Sequence, residues 1–200
     1  QEHDLLVVAD EIYEKLVYDG ARHISIASLP GMRQRTLVIN GFSKAYSMTG
    51  WRLGYVAAPK ELMSAMVRVH QNLTTCAVSF AQAGAVAALE GPQDCVAAMV
   101  AEFQRRRDML VRALNKMPGI TCTMPEGAFY VFPNVRAFGM SSEDLALHLL
   151  REAHIAVVPG TSFGPGGEGY LRISYANSYD QIQEGMQRMA TALKRLPRGQ

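Results

Sequence analysis

Several things are scarce in this sequence, and each scarcity removes a class of function. Only three cysteines occur in 200 residues, Cys76, Cys95 and Cys122, far apart and odd in number. Neither a disulfide framework nor a zinc-type pair can be read from that spacing, which fits a reducing compartment and predicts a cytoplasmic protein. The five histidines, His3, His23, His70, His148 and His154, form no metal-ligand pattern. Lysine and arginine number 20 against 18 acidic residues, a net charge of +2 with no block of one sign. That balance predicts no nucleic-acid partner and no membrane-surface partner. No apolar stretch nears the roughly 18 residues needed to span a bilayer, and no secretory signal is visible. An initiating methionine is lacking too. The chain opens at Gln1-Glu2-His3-Asp4 and runs straight into a strand-like segment, so an amino-terminal part is expected to be missing.

What is present is ordinary globular composition, 48% hydrophobic and 19% charged. A chain of this length buries roughly 70% of the surface its unfolded form exposes, enough for a real core in one domain or two small ones.

Leu5-Leu6-Val7-Val8-Ala9 is an uninterrupted apolar run that stops at Asp10-Glu11, and Thr36-Leu37-Val38-Ile39-Asn40 repeats the pattern before Gly41. Such runs predict strands covered on both faces, as in parallel α/β sheets. Leu53 to Ala58 predicts a third strand. Helical spacing follows over Lys60 to about Asn72, over Ala-rich Phe80 to Leu89, and over a long stretch of about 93–116 that could bridge two lobes. After Pro118-Gly119, Ile120–Met124 and Ala128–Phe132 read as two strands joined through Pro125-Glu126-Gly127. Ser141 is a plausible N-cap for a helix running to about Ala153. Val157–Pro159 and Tyr170–Tyr175 read as short strands, and Ser178–Leu196 as a closing amphipathic helix. The expected architecture is an α/β part over 1–95 followed by a smaller α+β part over 96–200.

In open parallel sheets, ligands bind beyond the carboxyl ends of strands. Two such ends carry charge here: Asp10 after the first strand, and Lys44, four residues past Asn40. A carboxylate at the end of a buried strand needs a cation or several donors, and Asp10 taken alone reads first as a cap or turn residue. Around the lysine the sequence is Gly41-Phe42-Ser43-Lys44-Ala45-Tyr46-Ser47-Met48-Thr49-Gly50-Trp51-Arg52-Leu53-Gly54. Small residues on both sides let backbone approach a bulky ligand. A lysine in a tight, partly dry site loses proton affinity and becomes an amine nucleophile. Arg52, eight residues on, suits a phosphate.

This stretch resembles the lysine signature of class I pyridoxal-phosphate-dependent aminotransferases of fold type I, and Asp10-Glu11-Ile12-Tyr13 resembles the companion Asp-x-x-Tyr. The Met48-Thr49-Gly50-Trp51-Arg52 segment is similar to the bacterial aspartate-aminotransferase-like branch. Gly127-Ala128-Phe129-Tyr130, Val158-Pro159-Gly160 and Leu171-Arg172-Ile173-Ser174-Tyr175 fall in that branch's order, so the resemblance covers nearly the whole chain as a carboxy-terminal fragment. It implies the carboxy-terminal part of a mostly parallel-sheet cofactor-binding large domain, then a small α+β domain. It implies pyridoxal 5'-phosphate held by Lys44 as a Schiff base, Asp10 on the pyridine nitrogen, Tyr13 on the ring's phenolic oxygen, and Arg52 on the phosphate, helped by Ser43, whose hydroxyl reads equally as packing or a turn bond. Arg172 would clamp the substrate's alpha-carboxylate; on a strand it shares a face with Ser174, and without the resemblance it reads first as a solvated edge arginine. Phe129 and Tyr130 either line the pocket or belong to the core, and His70 and His148 read as structural.

The implied reaction is transamination between an amino acid and a 2-oxo acid, aspartate with 2-oxoglutarate by default, in a homodimer when full length. Other reactions on the same scaffold, a carbon–sulfur lyase or a decarboxylating synthase, remain open. So does a non-catalytic effector-binding domain of a transcription regulator. The family's site draws further residues from upstream and from the partner subunit, so the fragment alone is expected to bind cofactor weakly and to be inactive.

Overall fold

The apolar run that stops at Asp10 forms β1 (Val7–Asp10), which pairs in parallel with β2 (Thr36–Gly41), Asp10 lying opposite Ile39. β2 then pairs antiparallel with β3 (Gly54–Ala57), giving a three-stranded sheet of order β1-β2-β3. Gly41 faces Gly54 across this pair, and a Cβ on Gly41 would meet the Gly54 Cα at 3.0 Å. Glycine at this position lets the two backbones meet where the chain leaves β2. The computed structural model describes residues 2–196, and the chain divides into two compact units, 1–100 and 101–200.

Helices α1 (Lys60–Leu73) and α2 (Ser79–Glu90) form where the 3.6-residue spacing predicts them. The first unit's buried apolar cluster is small: Phe42, Met48 and Ala85, with Tyr46, Leu53 and Ala88 packed against them. Coverage of β1 differs from the expectation of a sheet buried on both faces. Val8 is 65% exposed, and Leu5 and Leu6 are 64% and 60% exposed. Among the described residues β1 lies at the edge of this sheet with one face covered, so burial alternates along it.

Helix α3 (Asp94–Asn115) carries the chain from the first unit into the second. There β4 (Tyr130–Val131), α4 (Ser142–Ala153), β5 (Val158–Pro159), β6 (Leu171–Ser174) and α5 (Tyr179–Leu193) follow in order. The short sheet has order β4-β6-β5, with β6 antiparallel to both neighbours. The larger core is here: Leu110, Leu114, Leu145, Leu149, Leu171, Tyr175 and Met189 are all fully buried. Each such side chain contributes about 1.5–3 kcal/mol through removal from water.

Both later helices begin on serine. The Ser141 hydroxyl accepts from Asp144 N at 3.0 Å and donates to the Asp144 carboxylate at 2.7 Å, a reciprocal cap. The Ser178 hydroxyl accepts from Gln181 N at 3.3 Å. The strand expected over Ile120–Met124 does not form, and the hairpin it would make with 128–132 is absent among the described residues. Instead the Asn115 side chain, at the end of α3, donates to Cys122 O at 2.9 Å and accepts from Cys122 N at 2.8 Å. A side chain therefore satisfies the backbone groups that a ladder would have used. Only Thr121 bridges, to Asn134. Among the described residues no helix is long and apolar enough to cross a membrane.

Candidate active site

The strand order decides which side chains meet in the first unit. Because β1 and β2 run parallel and side by side, Asp10 and the Lys44 loop both leave the sheet at its carboxyl edge. Glu11 N donates to Ile39 O at 2.8 Å, extending the parallel pairing one residue past the strand. The chain then turns tightly, Glu14 N donating to Glu11 O at 3.0 Å and Leu16 N to Tyr13 O at 2.9 Å, with Leu16 fully buried beneath. This turn sets Tyr13 near the lysine: the Lys44 Nζ lies over the Tyr13 ring, 5.9 Å from its centroid.

The lysine loop is pinned by its own backbone. Phe42 N donates to Leu53 O at 3.4 Å, and Phe42 O accepts from both Tyr46 N at 3.2 Å and Met48 N at 3.3 Å. Phe42 is itself buried, so Ser43 and Lys44 project from a fixed base while remaining partly accessible. Ser47 and Arg52 adopt left-handed backbone, φ 53° and 52°. Such conformations cost a non-glycine residue about 1–2 kcal/mol and concentrate where a site over-determines the chain. Arg52 is exposed just before β3, with Nη1 donating to Thr49 O at 2.8 Å. Among the described residues the Ser43 hydroxyl makes no turn bond.

Asp10 departs from the expectation of a buried acid. It is exposed, and its carboxylate accepts from Ile12 N at 3.2 Å, an Asx turn at the strand end. The buried carboxylate is the next residue, Glu11, 7% exposed and paired with His23 Nε2 at 3.1 Å. Neighbouring positions take opposite environments because side chains alternate along an extended chain. The Tyr55 phenol on β3 is pushed up, first by burial and then by Glu14, Tyr46 and Glu11.

In the second unit, Arg172 sits on β6 opposite Val158, half-buried, between fully buried Leu171 and buried Ile173. The face shared with Ser174 is therefore the open one, as the strand period predicts. Its guanidinium carbon lies 4.7 Å from the Tyr130 ring centroid and 4.6 Å from that of Phe163. Among the described residues it makes no hydrogen bond and no ion pair. A half-buried arginine between rings, with its donors unspent, is a ready receptor for a planar anion. Among the described residues no cluster of three or more histidine, cysteine or acidic groups could hold a metal.

Residues 1–189 match the family model of class I and II aminotransferases. The chain belongs to that family. It is 47% identical over 195 residues to aromatic-amino-acid aminotransferase 2 of Thermococcus litoralis, covering 96% of this chain and 50% of that protein. It is also 47% identical over 195 residues to the aspartate aminotransferase of Pyrococcus abyssi, with the same coverage of 96% and 50%. The crystal structure of the aromatic aminotransferase of Pyrococcus horikoshii OT3 superposes with a TM-score of 0.94 at 49% identity, over 96% of this chain and 52% of that one. The fold is that of the fold type I aminotransferases, and the chain spans about half the length of the relatives it matches. The cofactor of class I aminotransferases is pyridoxal 5'-phosphate.

Phe163 reaches Arg172 only through a turn after β5, and no periodic pattern links it to Tyr130, which the sequence marks merely as one aromatic of a strand. His148, read as structural, keeps its Nε2 buried with no hydrogen-bond partner among the described residues.

Proposed function

We propose that the whole protein, of which this chain is about half by the measure of its relatives, is a pyridoxal-phosphate-dependent aminotransferase that moves an amino group from an amino acid to a 2-oxo acid. The observation that carries this reading is the Lys44 amine lying over the Tyr13 ring, in a loop pinned at Phe42, beyond the carboxyl ends of two parallel strands. The donor set fits the cofactor group by group: an amine for the aldehyde, a carboxylate for the pyridine nitrogen, a phenol for the phenolic oxygen, and a guanidinium with a hydroxyl for the phosphate. When bound, pyridoxal phosphate supplies an electron sink for the carbon that carries the migrating amino group.

The chain's own residues then have separate tasks. Lys44 Nζ would be the amine that holds the cofactor's aldehyde carbon, and once freed would act as the general base for the proton on the substrate alpha-carbon. Asp10 would face the pyridine nitrogen and favour its protonated form through a charge-assisted hydrogen bond. Tyr13 donates its O–H to the phenolic oxygen. Arg52 and Ser43 anchor the phosphate, and Arg172 receives the substrate's alpha-carboxylate. Aspartate with 2-oxoglutarate is the default pair.

A cytoplasmic homodimer is the proposed working form, in keeping with three free cysteines. The 200-residue chain alone is proposed to hold the cofactor weakly and to be inactive. The test is borohydride reduction of the full-length protein loaded with cofactor, followed by peptide mass mapping and a donor screen against 2-oxoglutarate. A reduced adduct on Lys44, lost in Lys44→Ala together with turnover, is expected. An adduct on another lysine would falsify the assignment.

A further inference from the structure

We propose that Tyr130 and Phe163 are positioning residues that hold the Arg172 guanidinium in a fixed orientation for a carboxylate ligand. The inference rests on the aminotransferase reading for the identity of that carboxylate, a substrate amino acid or 2-oxo acid. The geometry carries the rest.

A guanidinium is planar: its faces stack on aromatic rings while its N–H edges stay free to donate. The Arg172 guanidinium lies over both rings, 4.7 Å from Tyr130 and 4.6 Å from Phe163, and among the described residues none of its donors is engaged. A long side chain with several rotatable bonds loses freedom when it grips a ligand. Rings that order it beforehand lower that cost and raise affinity without touching the ligand.

Each ring is itself placed by a distinct feature. Tyr130 stands opposite Ser174 in the β4–β6 register, so it shares the face of Ser174 and Arg172 and reaches the arginine diagonally. Phe163 closes the turn Gly160–Phe163 that follows β5. Gly160 and Gly167 press together beneath that turn: a Cβ on Gly160 would lie 2.1 Å from Gly167 O. The Phe163 ring then meets Phe132 edge-on at 6.0 Å and 79°, and Phe132 stacks on Tyr170 at 5.2 Å and 12°. Phe163 is 52% exposed and Phe132 is 40% exposed. Among the described residues Phe163 belongs to neither buried apolar cluster, so core packing does not account for an aromatic at position 163. The unspent guanidinium beside it does.

The experiment uses the full-length, cofactor-loaded protein and two pairs of variants, Phe163→Leu with Phe163→Tyr and Tyr130→Leu with Tyr130→Phe, each also built on Arg172→Gln. Calorimetry measures the binding of succinate, a carboxylate with no amino group to react, and steady-state kinetics give KM and kcat for 2-oxoglutarate. The leucine variants are expected to weaken succinate and raise KM by about fivefold to tenfold, with kcat changed by less than about twofold. The ring-preserving variants stay near wild type, and on Arg172→Gln the leucine changes add nothing. Leucine variants indistinguishable from wild type, equal losses with and without Arg172, or no succinate binding by wild type would each overturn the proposal. The Lys44 borohydride adduct is scored in parallel. Its absence in wild type sinks the aminotransferase reading, whereas its presence with unaltered succinate binding sinks only the role of the rings.

Discussion

The Lys44 amine and the Tyr13 ring, 31 positions apart in sequence, lie with Nζ 5.9 Å from the ring centroid. The parallel pairing of β1 with β2 brings them together, because it sets the turn after Asp10 beside the loop after Gly41. In the proposed reaction this closeness lets Tyr13 tune the group that Lys44 holds.

Asp10 gives the sharpest test of roles within that group. Asp10→Ala or Asp10→Asn in the full-length protein is expected to lower kcat by about 100-fold or more, the scale seen when one preorganised electrostatic partner is removed. The borohydride adduct at Lys44 should still form, since the lysine loop is held independently at Phe42. Activity within a few fold of wild type would reduce Asp10 to the Asx turn it makes with Ile12.

Cys122 is expected to resist alkylation. Burial pushes its thiol up to about 11, against a smaller opposing pull from the backbone near Phe132. Near neutral pH the reactive thiolate is then a negligible fraction. Iodoacetamide treatment of the native protein followed by mass mapping should leave Cys122 unmodified until denaturant is added. Labelling of Cys122 in the native state would show that its shell opens readily.

Glu102 predicts a pH dependence of stability. Hydrogen bonds from Arg105, then Arg106, hold its carboxyl down at about 2, against an ordinary value of 4.5. A folded-state value below the unfolded one means a stabilising contribution that is fully present above about 4.5 and lost as pH falls towards 2. The pair lies on an open helix face, so solvent screens much of the effect. Glu102→Gln should lower the melting temperature slightly near neutral pH, with the gap to wild type closing below pH 4. A gap that widens in acid would contradict this.

Gly160→Ala is expected to be strongly destabilising. The added Cβ would lie 2.1 Å from Gly167 O and 2.8 Å from Tyr170 O, both backbone atoms that cannot swing aside. Overpacking of this kind costs about 1–3 kcal/mol, occasionally more. Chemical denaturation should show the loss, and weakened succinate binding should accompany it because Phe163 rides on the same turn. A variant as stable as wild type would mean the turn can open.

Much of this was legible in the amino-acid order, for reasons visible at particular residues. Helices α1, α2, α4 and α5 follow from spacing and capping because those signals are local, as at Ser141 and Ser178. The lysine loop is legible because its small residues and Arg52 lie within one short stretch. The strand expected over Ile120–Met124 fails because Asn115, seven positions before Cys122, takes that residue's backbone groups. No propensity scale records such a competition.

Local chemistry thus determined where the helices start and that a lysine follows an apolar strand, and the resemblance to class I aminotransferases implied which groups would suit a phosphate-bearing aldehyde. Tertiary structure decided the rest. It chose Glu11 over Asp10 as the buried acid, set Tyr13 beside Lys44, and put Phe163 against Arg172. The physical reason is range. Periodicity and capping act within a few residues, whereas strand register and glycine-to-glycine contact join segments whose separation carries no signature of their meeting.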